Sequence, residues 1–249
     1  MKKWNKEEKG QSGRFIELYG DTGVGKTVST LQTAPPPICY IQTEPRSLGP
    51  SLDAANRPDI EIDVFVYDDF PDLMEFVTNP DNFDRYASVI VDSYSHLMSV
   101  ALSGEITDEA FEAKTEAERQ TKPLVSKAKM SIEGFGGLSA NMFRLTAALG
   151  RLSQAGKCVV VTALLTENPR YNRELSAAPA LKGREFPANM PGFFDLIGLV
   201  QTRTDNEGKV IYPPWVRFQS PDGSFLAKFT GKGDKTEGPL NIKKIIENT

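Results

Sequence analysis

The chain has 249 residues, which is enough for one main α/β domain with a substantial core. Hydrophobic residues make up 39% and charged residues 25% of it, as in globular proteins, and no stretch approaches the ~18 apolar residues that a membrane span requires. The formal net charge of -4 excludes a uniformly basic coat for nucleic acid, so a polyanion would have to bind a local patch. Residues 1–10 lack the apolar segment of a secretory signal, and we expect a cytoplasmic protein without membrane contact.

Polar residues 1–13 open the chain and predict a flexible leader, in which Trp4 is either an exposed tail residue or an aromatic anchor for a neighbouring subunit. From residue 14 onward, short apolar runs alternate with segments of helical periodicity. The predicted strands span residues 15–19, 38–42, 60–67, 88–91 and 158–164. The predicted helices span residues 26–33, 72–77 and 138–155. This alternation predicts an α/β fold with a mostly parallel central sheet flanked by helices.

The rest of the chain has weaker patterns. Residues 103–137 combine dense mixed charge with no apolar stripe, which predicts a long loop with transient helix. Residues 196–203 and 209–218 flank an Asp-Asn-Glu-Gly tetrapeptide and predict a C-terminal β-hairpin. Residues 225–229 are a candidate for one more strand, and residues 236–249 are predicted as a C-terminal tail.

A phosphate-binding loop is the most specific signal in the sequence. Eight consecutive residues match G-x-x-x-x-G-K-[ST] in full, between a predicted strand and a predicted helix. Glycines let successive backbone N–H groups face phosphate oxygens, and the helix that follows adds the positive end of its dipole. We expect Lys26 to reach the β- and γ-phosphates and the Thr27 hydroxyl to ligate Mg²⁺; the alternative is a glycine-rich turn kept for packing. The predicted nucleotide-binding residues are Gly20, Asp21, Thr22, Gly23, Val24, Gly25, Lys26, Thr27 and Val28.

Further polar residues lie at or near the carboxyl ends of predicted strands, where ligands bind in parallel sheets. Asp92 ends an apolar strand and is predicted to hold Mg²⁺ through water, with a helix N-cap as the alternative. Glu44 follows another strand and is predicted to polarise the attacking water, unless it is a solvated loop acid. Thr162 is a candidate sensor of the γ-phosphate, with a buried, backbone-bonded threonine as the alternative. His96, the sole histidine, lacks partners at ligand spacing and is assigned no chemistry.

The order of these parts resembles that of the RecA-like ATPases. The phosphate-binding loop is followed by YIQTE at residues 40–44, VIVDS at 89–93 and, after a Gly-led helix, VVVT at 159–162. More narrowly, PALKGR at 179–184 and MPGFFD at 190–195 look like segments of phage-encoded, RecA-related P-loop proteins that act in single-strand annealing and recombination. The resemblance covers about residues 14–235.

The resemblance implies a RecA-like P-loop NTPase core over residues 14–235, with subunits assembled as a ring or filament and ATP bound at or near the subunit interface. If the chain is phage-encoded, it would act in the host cytoplasm. The acid that matches Glu44 would activate water. Lys228 and Lys232 are similar to late basic residues that RecA-like subunits offer to a neighbour's γ-phosphate; the alternative is a solvated hairpin.

The resemblance also implies that two loops contact single-stranded DNA, here residues 103–137 and a second long connection at 166–192. The first loop is rich in acids, which disfavours contact with phosphates. The second is the better candidate because it combines basic residues with an aromatic ring that could stack on a base; an ordinary solvated loop is the alternative. Its predicted DNA-binding residues are Arg170, Tyr171, Arg173, Lys182 and Arg184.

Three functions follow from these patterns. The leading hypothesis is a protein that binds and hydrolyses ATP, assembles on single-stranded DNA and promotes annealing or recombination, with a single-strand-binding protein as a candidate partner. The second is a DNA-translocating or packaging motor. The third is a nucleotide-regulated oligomeric scaffold with negligible turnover. The choice of ATP rests on the resemblance, since we find no clear Asn-Lys-x-Asp tract that would select guanine.

Overall fold

The computed structural model describes residues 13–58, 60–121, 130–233 and 236–249. Trp4 and all but the last residue of the predicted leader lie outside the described residues. The strands are β1 (Arg14–Gly20), β2 (Ile38–Gln42), β3 (Ile62–Val66), β4 (Ser88–Asp92), β5 (Cys158–Glu167), β6 (Ala177–Pro179), β7 (Leu196–Thr204), β8 (Val210–Arg217), β9 (Lys228–Phe229) and β10 (Glu237–Pro239). The α-helices are α1 (Lys26–Thr33), α2 (Gly49–Ala55), α3 (Phe70–Thr78), α4 (Tyr94–His96), α5 (Leu102–Glu112), α6 (Glu116–Thr121), α7 (Ile132–Gln154), α8 (Glu185–Asn189) and α9 (Ile242–Glu247).

The strands form one sheet in the order β10-β8-β7-β1-β5-β4-β2-β3, with β6 paired to β5 and β9 paired to β7. Neighbouring strands from β7 to β3 pair in parallel. Strands β6, β8, β9 and β10 pair antiparallel. The α/β fold with a mostly parallel central sheet is therefore confirmed. The candidate strand at residues 225–229 is reduced to the two residues of β9.

Two hydrophobic cores cover the two faces of the sheet, because successive side chains of a strand point to opposite sides. Phe15 and Tyr19 of β1 pack in one core with the long helix α7. Ile16 and Leu18 pack in the other core with Leu31 of α1. Every residue of β4 is buried as a result. None of the helices in the described ranges is long and apolar enough to cross a membrane.

Helices occupy much of residues 103–137, so the predicted long loop is wrong where the structure describes this stretch. A π-helical segment, Leu97–Ala101, joins α4 to α5, and α7 begins well before residue 138. The acidic stretch is ordered because its polar groups are used within the fold. Glu105 accepts hydrogen bonds from the Tyr67 hydroxyl and from a backbone N–H of α3, and Ser131 caps the first turn of α7.

Two further segments are more ordered than the sequence suggested. Within residues 166–192, β5 continues to Glu167, β6 pairs back onto it, and α8 follows. Residues 236–249 are not a tail, since β10 extends the sheet beside β8 and α9 packs against α1. The physical reason is apolar burial, because Leu240 and Ile242 are both fully enclosed in the core on the α1 side of the sheet.

Glu17 of β1 is a buried acid on the same face of the strand as Phe15 and Tyr19. Neither of its carboxylate oxygens finds a hydrogen-bond partner among the described residues, and the same holds for the buried hydroxyl of Tyr171. Burial raises the pKa of Glu17 from its ordinary value of 4.5 to about 8. Between about pH 4.5 and about pH 8, the Glu17 carboxyl therefore stays protonated in the folded protein, whereas the unfolded chain releases this proton.

Replacing Glu17 by Gln should make folding stability less dependent on pH. The neutral Glu17 carboxyl contributes stability that is fully present below about pH 4.5 and is lost as the pH rises toward about 8. We therefore expect the Glu17→Gln protein to gain roughly 2–4 kcal/mol relative to wild type between about pH 5 and about pH 8.5. Urea unfolding of both proteins at the two pH values measures the difference. A free-energy difference that stays constant across this range would show that Glu17 titrates normally in the folded state.

Candidate nucleotide-binding site

A cleft of about 380 Å³ opens at the carboxyl ends of the central parallel strands. Ligands bind at this edge in open α/β sheets, and the volume suits a small molecule. The cleft is lined by side chains that are far apart in the sequence. Its lining includes Lys26, Thr27, Glu44, Asp92 and Thr162. The structure therefore brings these five predicted site residues together.

The predicted phosphate-binding loop joins β1 to α1 as a tight turn. Gly23 and Gly25 have φ values of 77° and 98°, which lie in the left-handed region that residues with a side chain rarely adopt. Gly25 is also the N-cap of α1, and no side chain caps the first turn of this helix. The backbone N–H groups at the start of α1 are therefore available to an anion.

Strand β8 lies against this loop. A Cβ atom added to Gly25 would lie 3.4 Å from Cε1 of Tyr212 and 3.6 Å from the ring of Pro214. The Tyr212 side chain is otherwise exposed, with 65% of its surface accessible. We did not predict Tyr212 as part of the site. Its aromatic ring was the one feature that could have suggested a contact with the loop. Its position beside the loop arises because β8 pairs with β7 and β7 pairs with β1, and the sequence does not reveal that second pairing.

Lys26 folds back over the loop that precedes it. Its ammonium donates hydrogen bonds to the carbonyl oxygens of Gly20 and Asp21, each at 2.9 Å. Burial lowers the pKa of Lys26 to about 8, although the charges of Asp92, Glu44 and Asp21 oppose this shift. A bound polyphosphate would supply the negative charge that this buried ammonium lacks.

The Asp92 carboxylate accepts hydrogen bonds from four side chains. Oδ2 accepts from the Thr27 hydroxyl at 2.8 Å, the Tyr40 hydroxyl at 2.5 Å and Nη2 of Arg46 at 3.0 Å. Oδ1 accepts from the Thr162 hydroxyl. Burial and the charge of Asp92 raise the pKa of Tyr40 far above its ordinary value, so this hydroxyl keeps its proton and donates. The predicted metal pair, Thr27 and Asp92, is thus in direct contact.

Two alternatives from the sequence are wrong: a helix N-cap for Asp92 and a backbone-bonded hydroxyl for Thr162. Asp92 is not a helix N-cap, because Ser93 fills that position in front of α4 and accepts from the N–H of His96 at 3.3 Å. Thr162 is fully buried, yet its hydroxyl bonds a carboxylate rather than the backbone. Because that hydroxyl is directed to Asp92, Thr162 positions the acid from the neighbouring strand β5.

Glu44 is held in the cleft and is not a solvated loop acid. Its Oε1 accepts from the Ser93 hydroxyl at 2.8 Å, and its Oε2 pairs with Nε of Arg46 at 2.7 Å. The preceding Thr43 exchanges two hydrogen bonds of 2.8 Å with the backbone of Ser93. These contacts fix the end of β2 to the end of β4.

Arg46 is the main site residue that sequence reasoning missed. Its Nη2 lies 3.0 Å from both Thr27 Oγ1 and Asp92 Oδ2, while its Nε pairs with Glu44. Although partial burial lowers it, the charges of Asp92 and Glu44 raise the pKa of Arg46 above its ordinary value. One signal could have found this residue: a cation two positions after Glu44, in the turn that leaves a strand on the ligand edge.

The oxygen atoms around Arg46 also fit a divalent cation. A hydroxyl and a carboxylate are oxygen ligands of the kind that Mg²⁺ takes, and in the structure Thr27 and Asp92 already hold one cationic group between them. Among the described residues no three His, Cys, Asp or Glu side chains form a group that could hold a metal. A magnesium ion here would therefore need phosphate oxygens and water as its remaining ligands.

The predicted DNA-binding residues lie outside this cleft and divide into two groups. Arg170, Arg173 and Arg184 are exposed, as a phosphate-binding surface requires. Lys182 is instead held by the fold, because its ammonium donates to the carbonyl of Ser99 at 2.9 Å. The hydroxyl of Tyr171 is buried, so this ring is not freely presented for stacking.

The two late lysines do not join the cleft of the same chain. Lys228 lies in β9, which pairs with the first residues of β7, and its ammonium donates to the carbonyl of Pro191 at 2.9 Å. Lys232 is exposed. A role for either lysine toward a neighbouring subunit stays a prediction.

Fold and cleft together define a P-loop nucleotide-binding protein. The family model described as AAA domain, AAA_24, matches residues 12–225, which is most of the chain. The protein therefore belongs to this AAA domain family of nucleotide-binding P-loop ATPases. No curated protein sequence matches the chain significantly.

Substituting Gly25 by Ala should weaken nucleotide binding by about tenfold or more, because a left-handed alanine is strained and its methyl group would lie in van der Waals contact with Tyr212. Gly23→Ala is the matched control, since Gly23 is also left-handed but a methyl group there would meet no other atom within 4 Å. Calorimetric titration of both variants with an ATP analogue and Mg²⁺ measures the difference. Equal affinities in the two variants would mean that the contact with β8 has no influence on the loop.

Proposed function

We propose that the protein hydrolyses ATP in a Mg²⁺-dependent reaction. One observation carries this proposal: Lys26, Thr27, Asp92 and Glu44 meet in a single cleft, where Thr27 Oγ1 lies 2.8 Å from Asp92 Oδ2. A phosphate-binding loop alone would account for binding. The acid at the end of β2 adds a group that can act on water, and this favours hydrolysis. The preference for ATP over other nucleotides rests on the resemblance to RecA-like ATPases.

In the proposed mechanism, backbone N–H groups of the loop bind phosphate oxygens, and Lys26 exchanges its carbonyl partners for the β- and γ-phosphates. Thr27 and Asp92 would hold Mg²⁺, which neutralises charge that develops on the phosphate oxygens. Glu44 orients the attacking water and takes one of its protons as the water oxygen bonds to the γ-phosphorus and the bond from that phosphorus to ADP breaks. Ser93 keeps the Glu44 carboxylate in place through its hydrogen bond to Oε1.

Replacing Glu44 by Gln should reduce ATP turnover by about 100-fold or more, because an amide cannot accept the proton of the attacking water. Nucleotide affinity should change by less than about threefold, since Glu44 belongs to neither the loop nor the predicted metal pair. Steady-state phosphate release and calorimetry measure the two quantities. The control is Glu167→Gln, which removes an exposed acid at the far end of β5. Unchanged turnover in Glu44→Gln would rule out this role for the acid.

A nucleotide-regulated scaffold with negligible turnover is the second candidate. The ion pair between Arg46 and Glu44 favours the scaffold, because a carboxylate paired with a guanidinium is a weaker base toward the attacking water. In that case the wild-type protein and Glu44→Gln would bind nucleotide alike and would release phosphate at the same low rate. For a translocating or packaging motor, the described residues offer no feature beyond those of any P-loop ATPase.

We further propose that the protein has the RecA-like type of ATPase core and acts on single-stranded DNA, in annealing or recombination. The order of the motifs supports this, as do the exposed side chains of Arg170, Arg173 and Arg184 in the segment that follows β5. Their charge could neutralise backbone phosphates on an otherwise acidic chain. Tyr171 and Lys182 no longer support this proposal, because their polar ends are directed into the fold.

Removing two of these arginines together, as Arg170→Ala with Arg173→Ala, should weaken binding of single-stranded DNA by about tenfold at moderate salt. The salt dependence of binding should become shallower, because fewer counterions are released. Fluorescence anisotropy with a labelled oligonucleotide measures both effects, and ATP turnover with and without the oligonucleotide measures stimulation. Arg151→Ala, which removes an exposed arginine of α7, is the control. A double variant that binds as tightly as this control would contradict the assignment.

On the resemblance alone, we propose that subunits assemble as a ring or filament, with a single-strand-binding protein as a candidate partner. Phage origin, and action in a host cytoplasm, rest on the same resemblance. Lys232 is the better candidate for reaching a neighbour's γ-phosphate, because Lys228 is bonded to the carbonyl of Pro191. Particle imaging with a non-hydrolysable ATP analogue, with and without single-stranded DNA, tests the assembly.

A further inference from the structure

Arg46 places a positive charge between the residues that would hold the metal ion of a bound nucleotide. Its Nη2 donates to Thr27 Oγ1 and to Asp92 Oδ2, each at 3.0 Å. Its Nε pairs with Glu44 Oε2 at 2.7 Å. One guanidinium therefore contacts both members of the predicted metal pair and the acid predicted to act on water.

We propose that Arg46 is a built-in substitute for Mg²⁺: its guanidinium neutralises Asp92 and Glu44 in the free protein and gives way when a metal-bound nucleotide enters. This inference rests on the proposed function and adds a regulatory step to the same site. With Arg46 in this position, the metal ion and the nucleotide would bind together. A metal ion alone would meet Asp92 and Glu44 while the guanidinium already balances their charge.

The hydrogen bonds of Asp92 explain why the two cations exclude each other. Each carboxylate oxygen offers about two lone-pair positions, and three donors, from Tyr40, Thr27 and Arg46, already share Oδ2. A metal ion or its bound water can bind Oδ2 only after one of these three donors leaves. Arg46 is the donor that can leave, since its side chain is 46% exposed, whereas Tyr40 is fully buried and Thr27 is held in α1.

The backbone around Arg46 lets the tip of the side chain move while its base stays in place. The side-chain amide of Gln42 donates to the carbonyls of Glu44 and Arg46, at 2.9 Å and 2.6 Å. The N–H of Arg46 donates to the Glu44 carbonyl at 2.8 Å. These bonds hold the turn after β2, so the guanidinium can swing toward a phosphate without disturbing the strand.

Two effects of opposite sign follow for Arg46→Gln. Without the guanidinium, Asp92 and Glu44 keep an unbalanced charge, so Mn²⁺ should bind the nucleotide-free protein at least about tenfold more tightly. Metal-free ATP should bind at least about tenfold more weakly, because no cation remains beside its phosphates. Affinity for ATP with Mg²⁺ should change by less than about threefold, since the metal then supplies the charge.

The test titrates Mn²⁺ into nucleotide-free protein by electron paramagnetic resonance, and titrates ATP by calorimetry with either EDTA or Mg²⁺. Arg217→Gln is the matched control, because it removes an arginine that pairs with Glu237 at 3.5 Å outside the cleft. Arg46→Lys keeps the charge without the planar fork. We expect it to retain most of the metal-free ATP affinity that Arg46→Gln loses.

A merely structural role for Arg46 would lower all three affinities together, and that result would overturn the proposal. An unchanged or lower affinity of Arg46→Gln for Mn²⁺ would overturn it as well. Should Arg46→Gln fail to fold, as judged by circular dichroism, Arg46→Lys decides: loss of its metal-free ATP affinity would overturn the proposal, and retention would support it. If the wild-type protein bound no nucleotide, the proposed ATPase function would fail, while the Mn²⁺ measurement would still decide the role of Arg46.

Discussion

The Asp92 carboxylate holds together parts of the cleft that come from distant regions of the chain. Its four donors belong to the phosphate-binding helix (Thr27), to β2 (Tyr40), to the turn after β2 (Arg46) and to β5 (Thr162). A buried carboxylate is costly unless hydrogen bonds replace its lost hydration. The acid therefore requires this set of neighbours, and each of them is fixed by the acid in return. Because β5 pairs with β4, Thr162 reaches Asp92 from the neighbouring strand, while Thr27 reaches it from α1.

Both cations of the cleft have hydrogen-bond partners within the protein, so nucleotide binding would be an exchange of partners. Lys26 satisfies its ammonium with two carbonyls of the loop, and Arg46 satisfies its guanidinium with Asp92 and Glu44. A polyphosphate competes with these oxygens for the same two cations. A polyphosphate competes well because it carries more negative charge than these oxygens. Lys26 gains most from that charge, because burial disfavours its charged form and lowers its pKa. This arrangement lets a strongly charged cleft exist without a ligand and still respond to one.

The sequence predicts best what depends on neighbouring residues. The loop before Lys26 is a contiguous motif, and both Glu44 and Asp92 follow directly from the ends of apolar strands. Arg46 could not be predicted in the same way, because its contacts depend on β4 lying beside β2. Side-chain packing caused the remaining errors. Helices α5 and α6 lack an apolar stripe that a periodicity argument would detect, and α5 is held partly by the bonds of Glu105. Lys182 looked like a surface cation until its partner was known.

The helix that follows Asp92 joins the cleft to the segment after β5. Ser93 begins this connection, because its hydroxyl donates to Glu44 and also accepts the N–H of His96. Two residues on, the Ser95 hydroxyl accepts the N–H of Leu164 at the end of the buried part of β5. The carbonyl of Ser99, in the π-helical segment that follows, accepts a hydrogen bond from the ammonium of Lys182. Lys182 therefore binds the helical segment whose N-cap, Ser93, contacts Glu44. The segment that carries the exposed arginines follows Leu164, which lines the nucleotide cleft and is bonded to Ser95.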